Sequence, residues 1–220
     1  MKVEISVPSK LSEITLKQYQ RFVKVNTEEN QKTPFLLEKM VEIFCSLNLQ
    51  DILKIKFTSV QEITNKLNKL FDVTPNLIEK FTLNNIEYGF IPNLDDMTLG
   101  EYIDLDGNLS DWEKVHNAMA VLYRPIKFKS KHKYNIKEYK GTENSAVLKD
   151  MPLDAVMGSM IFFYNLSNEL LTTTLSFLMK EMEENMTTAQ REVLEQNGAG
   201  ISQYMVLLKE MLPSSISSQN

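Results

Sequence analysis

The sequence predicts an α+β protein, predominantly α-helical: a small N-terminal strand and β-hairpin element packed with helices, then an all-helical C-terminal half. Apolar residues recur every three to four positions through most of the chain, the period of a helix with one buried face. β-type runs are short and confined to residues 2–7, 81–92 and 126–137. From Pro152 the helical pattern continues nearly to the end.

Residues 2–7 alternate, with Val3, Ile5 and Val7 on one face, and predict a short strand stopped by Pro8. Thr15 is placed to N-cap LKQYQRFVKV. Thr33-Pro34 marks a second helix start, because proline at the first helical position lacks only an N–H that would have no partner there. That helix is expected to bury Leu36, Leu37, Met40, Ile43, Phe44 and Leu47. Thr58 to Gln61 reads as a capping box for a third helix with Ile63, Leu67 and Leu70 inward. Asn84-Asn85 between two β-type runs predicts a hairpin, since asparagine tolerates the positive φ of a tight turn.

Thr98 to Glu101 is another capping box, opening a short helix through Leu105 that Gly107-Asn108 should break. Ser110 is placed to cap the next helix, closed by Pro125. Residues 126–137 alternate strictly, as an edge strand with a lysine face or a long extended arm. Ser145 to Asp150 suits a turn of helix. After Pro152, one long helix interrupted weakly by Thr172, Thr173 and Thr174 is expected, then a helix capped by Thr187 or Thr188, a break at Asn197-Gly198 and a last helix stopped by Pro213. The expected organisation is a mixed domain over 1–125, a lysine-rich extended connector over 126–150, a helical region over 151–213 and a flexible tail over 214–220.

Composition bounds the classes. With 220 residues, 43% hydrophobic and 24% charged, the chain is neither wholly disordered, nor collagen-like, nor a coiled-coil rod. A chain of this size buries roughly 70% of its unfolded surface, so neither metal nor disulfide is needed to fold it. One cysteine, Cys45, permits no intrachain bridge and fits a reducing compartment. The N-terminus lacks the apolar core of a signal peptide. Ala155–Asn168 is too short an uncharged stretch for a membrane helix, which needs about 20 residues, so no stable membrane span is expected.

No catalytic motif emerges, and the reading is not an enzyme, with no cofactor and no metal. Asp104-Leu-Asp106-Gly107-Asn108 fails as a calcium loop, because Leu109 stands where glycine is needed and Val115 where a bidentate glutamate is needed. His116 and His132 lie on different elements; a His116–Asp104 pair is conceivable only after folding. Cys45 sits among Leu, Ile and Phe, as an inert core thiol does. Gly198-Ala-Gly200 lacks the rest of a phosphate loop and reads as a helix break. Eight of twelve methionines fall between Met151 and Met211, a pliable core or a surface that repacks against partners.

The distinctive feature is basic. Net charge is −5, yet Arg124–Lys140 holds seven basic residues and one acid. The candidate docking residues are Arg124, Lys127, Lys129, Lys131, Lys133 and Lys137. Lysines at period two suit an acidic protein groove or, less well given the overall charge, a nucleic-acid backbone. They also suit simple protection of an exposed strand edge.

Two segments, PNLDDMTLGEYIDLD over 92–106 and HNAMAVLYRPI over 116–126, occur close together. In combination they resemble small proteins encoded among the virion genes of tailed bacteriophages, including short-tailed, crAss-like Bacteroides phages and some marine phages. The likeness extends faintly to the KQYQRF helix and the helical C-terminal half. It brings no catalytic residues. It implies a non-enzymatic virion protein, internal cargo docked in the portal–tail lumen and ejected with DNA. A tail assembly chaperone absent from the mature virion is the alternative. The implied partners are portal, tail or ring proteins, with self-association also open, and the implied location is the virion, or the host cytoplasm during assembly.

Overall fold

The structure, a computed structural model, describes residues 5–31, 33–130, 133–143 and 145–185. It is α+β and helix-dominated. The chain divides into two compact units, 1–163 and 164–220. In the first, helices α1 (Leu16–Val25), α2 (Pro34–Phe44), α3 (Leu49–Ile52) and α4 (Phe57–Phe71) precede strands β1 (Lys80–Leu83) and β2 (Ile86–Phe90). Then come α5 (Leu99–Leu109), α6 (Val115–Leu122), β3 (Tyr123–Ser130), β4 (Lys133–Ile136) and the start of α7 (Leu153–Asn185). The second unit is described only over 164–185, the remainder of α7.

Local chemistry explains the early elements. Thr15 caps α1 in a full capping box with Gln18, and the Gln18 amide also donates to the Ile43 carbonyl, tying α1 to α2. Gln20 is buried yet satisfied: its amide donates to the Trp112 carbonyl at 2.7 Å. Tyr19, Phe22, Phe44 and Phe71 form one aromatic cluster, in which Phe22 and Phe71 stack at 5.8 Å between centroids. Thr33 precedes Pro34 as expected, but its hydroxyl turns back to the Asn30 carbonyl instead of capping α2. Leu36, Met40, Ile43 and Phe44 are buried as expected, and so is Val41, while Leu37 and Leu47 are only partly covered.

The four strands form one antiparallel sheet in the order β1-β2-β3-β4. The Asn84-Asn85 turn has φ of 50° and 61°, the two positive values that a twisted two-residue hairpin demands. One sheet face carries Phe81, Tyr88, Phe90 and Tyr123 into the core. Tyr123 is fully buried, its hydroxyl donating to the Ile78 carbonyl at 2.8 Å. Burying such a ring stabilises the fold by about 3 kcal/mol. Phe162 of α7 packs edge-on against Phe90, with Phe163 tilted beside it, and Leu153, Ala155, Val156 and Ser159 of α7 are buried.

Several expectations are corrected. Residues 5–9 form no strand; Ile5 and Val7 pack against the core from irregular chain, and residues 2–4 lie outside the described residues. α4 begins at Phe57, so Thr58 lies inside the helix and its capping box does not form. α5 does not stop at Gly107 but runs on to Leu109, and Ser110 ends α5 instead of opening α6. Glycine costs a helix only about 1 kcal/mol, which packing of α5 against α6 overrides. Residues 126–137 are not a single strand or an extended connector: β3 and β4 form a hairpin that completes the sheet. Ser145–Asp150 is a 3-10 turn, as the sequence suggests. The helix starts, break and tail expected beyond residue 185 lie outside the described residues.

Candidate partner-docking site

Arg124 is the second residue of β3, and Glu101 is the third of α5. Glu101 closes the capping box predicted from Thr98: one carboxylate oxygen accepts from the Thr98 N–H at 2.7 Å and from its hydroxyl at 2.9 Å. The other oxygen lies 2.8 Å from Arg124 Nη1 in an ion pair. Both side chains are nearly out of water, 12% exposed for Arg124 and 5% for Glu101. The guanidinium also lies 6.0 Å from the Tyr139 ring centroid, and its Nε is buried without an acceptor. Tyr139 donates its hydroxyl to Asp104 at 2.6 Å; burial, then that carboxylate, pushes the phenol well above its ordinary range. Asp104 is thereby committed to Tyr139, and the conceivable pair with His116 does not form.

The lysines do not make one face. β3 carries a bulge between Ile126 and Phe128: Ile126 lies opposite Ile136, and Phe128 opposite Asn135. Neighbours along a strand face opposite ways, so the extra residue breaks the alternation that the sequence shows. Lys129 lies opposite Tyr134 and Lys133 opposite Ser130, and these two lysines project from opposite faces. Lys129 is ion-paired with Glu87 across the sheet. Arg124, counted among the docking residues from sequence, is spent on Glu101. Lys131 lies outside the described residues, as does His132.

Lys127, Lys133, Lys137 and Lys140 remain, all exposed and in no ion pair among the described residues. Lys127, Lys137 and Lys140 border an open concavity of about 580 Å³ whose floor is Tyr88, Tyr123, Pro125 and Leu148. A second concavity, about 560 Å³, shares Arg124, Lys127 and Lys137 and reaches Asp96 and Glu101. Glu138 lines both, so the second is mixed in charge, while the first, with three lysines against one acid, suits an acidic segment with an apolar anchor. Lys140 and Tyr139 belong to this arrangement although the sequence reading placed neither among the docking residues; their place in the basic segment was the available signal.

Burial pushes the Cys45 thiol up to about 11, leaving little thiolate at neutral pH. His116 is held below its ordinary value, first by burial and then by the nearby Lys149 charge, and its Nδ1 lies 3.5 Å from the Gln20 amide. Asp104 to Asn108 are helical, so no calcium-type loop exists there. Gly198-Ala-Gly200 lies outside the described residues. Of the C-terminal methionines, Met151 is buried and Met157 and Met160 are partly buried against the core. Among the described residues, no helix is long and apolar enough to cross a membrane, and no three of His, Cys, Asp and Glu group as metal ligands do.

Comparison of the chain with family models, curated proteins and solved structures finds no match.

Proposed function

We propose that the chain is a non-enzymatic bacteriophage virion protein, internal cargo held in the portal–tail lumen by electrostatic docking. The observation that carries the docking is the unpaired set Lys127, Lys133, Lys137 and Lys140 on a chain of net charge −5. The phage setting rests on the resemblance of residues 92–106 and 116–126. Edge protection accounts for Lys133, which sits on the edge strand β4. It does not account for Lys137 and Lys140, which lie beyond that strand and border an apolar floor.

Exposed ion pairs contribute at most about 1 kcal/mol each. Docking through a few of them is therefore reversible, and holds only where many acidic sites face the lysines at once. That suits a passenger that must later leave. A nucleic-acid partner fits less well, because the chain as a whole carries a net charge of −5.

The test is quantitative mass spectrometry of gradient-purified particles beside the lysate that made them. Many copies in full particles and few in DNA-emptied ones are expected. Copies retained after emptying would make the protein a ring component. Abundance in the lysate with none in particles would replace the cargo reading with an assembly chaperone.

A further inference from the structure

The outward side of α5 is apolar where a surface helix is normally polar. Leu99, Tyr102 and Ile103 are 74%, 58% and 58% exposed. At 100° per residue they fall on one face with exposed Asp106, opposite the buried Glu101 and Leu105. Exposed Asp95 and Asp96 stand just before the helix. Gly100 and Gly107 flank the stripe two turns apart, and a Cβ on either would meet nothing within 4 Å, so nothing inside the fold requires glycine there. The result is an apolar ridge, an open shelf beside it and an acidic border.

We propose that this ridge docks on the lysine-bordered concavity of a second copy of the same chain. The complementarity is on the molecule itself. One patch joins Leu99, Tyr102 and Ile103 to Asp95, Asp96 and Asp106. The other joins an apolar floor to Lys127, Lys137 and Lys140, with Glu138 as the single acid in its lining. Of the ridge patch only Asp96 lines a concavity together with Lys127 and Lys137, so the two patches meet at that residue. Each copy supplies both halves of the contact, so the assembly either closes as a two-fold pair or continues head to tail. The inference rests on the docking reading only in giving the lysines a partner, and it requires no virion.

Sedimentation velocity of the full chain, over a concentration series at low and high salt, reads the assembly directly. A dimer or larger species that dissociates with added salt is expected. Two variants then test the contact: Asp95→Lys/Asp96→Lys/Asp106→Lys, and Lys127→Glu/Lys137→Glu/Lys140→Glu. Each alone presents two like-charged patches and should stay monomeric. Mixed in equal amounts they should form a mixed complex, because every contact is again opposite in sign; misfolding of either variant cannot produce that rescue. A wild-type chain that is monomeric throughout, or variants that assemble alone as well as the wild type, would overturn the proposal. So would monomeric variants, folded by circular dichroism, that fail to associate when mixed. The particle experiment would stand unaffected by any of these results.

Discussion

Arg124 and Glu101 join the sheet to α5 through an ion pair of 2.8 Å that water barely reaches. Removing one partner of such a pair leaves the other charge buried and uncompensated, at a cost of about 3 kcal/mol. Glu101→Gln keeps a side chain able to close the Thr98 capping box and so isolates the charge. It should lower the urea unfolding free energy by about that amount, with an unchanged denaturant slope. Adding Arg124→Met should recover part of the loss, because both charges are then gone. A cost of Glu101→Gln below about 1 kcal/mol would show the pair to be screened like a surface contact.

Two helical glycines should respond to alanine with opposite signs. A Cβ on Gly107 meets open space, so Gly107→Ala should stabilise the monomer by up to about 1 kcal/mol through helix propensity alone. A Cβ on Gly158 of α7 would stand 2.3 Å from the Asn76 carbonyl oxygen. Backbone must move to admit it, and Gly158→Ala should cost about 1–3 kcal/mol. Thermal unfolding at dilute concentration reads both. Equal signs would contradict the close approach of α7 to residue 76.

His116 should make the fold acid-sensitive in a defined window. Its folded pKa is depressed, because burial and Lys149 disfavour the charged ring. The unfolded chain therefore binds the proton first, near pH 6.5, and stability falls as pH drops from there to the lower folded value. Below that value the histidine contributes no further loss. The facing groups are the Gln20 amide, the Glu113 backbone and Lys149. Urea midpoints measured from about pH 7.5 down to about pH 5.5 should slope for the wild type and flatten for His116→Asn. Parallel profiles would remove His116 as the source.

Much of the helical frame was legible because its signals are local. The Thr15 and Thr98 capping boxes and the Asn84-Asn85 turn depend only on residues within a few positions, and all three form as expected. Errors arose where a distant contact decided the outcome. Packing on α6 carries α5 through Gly107, and no local rule contains that. The alternation over 126–137 is genuine in the sequence, but the bulge at Ile126–Phe128 and the pairing of β3 with β4 redistribute it over two faces. The docking set was identified by charge alone. Arg124 belongs to it by composition, yet its partner Glu101 lies on another element, and only folding brings the two together.

The first unit is fastened where it begins and where α7 starts. Thr15 and Pro152 form an antiparallel bridge, with the Leu16 N–H donating to the Met151 carbonyl and the Leu153 N–H to the Ile14 carbonyl. The segment before α1 and the segment before α7 therefore lie side by side, like the two tabs of a zipper. Tension applied across this bridge from its two outer ends meets its hydrogen bonds one after another, not all together in shear. Leu11 before it and Leu153, Ala155 and Val156 after it are buried, so force drawn along the chain from either side reaches this clasp only once those side chains have left the core.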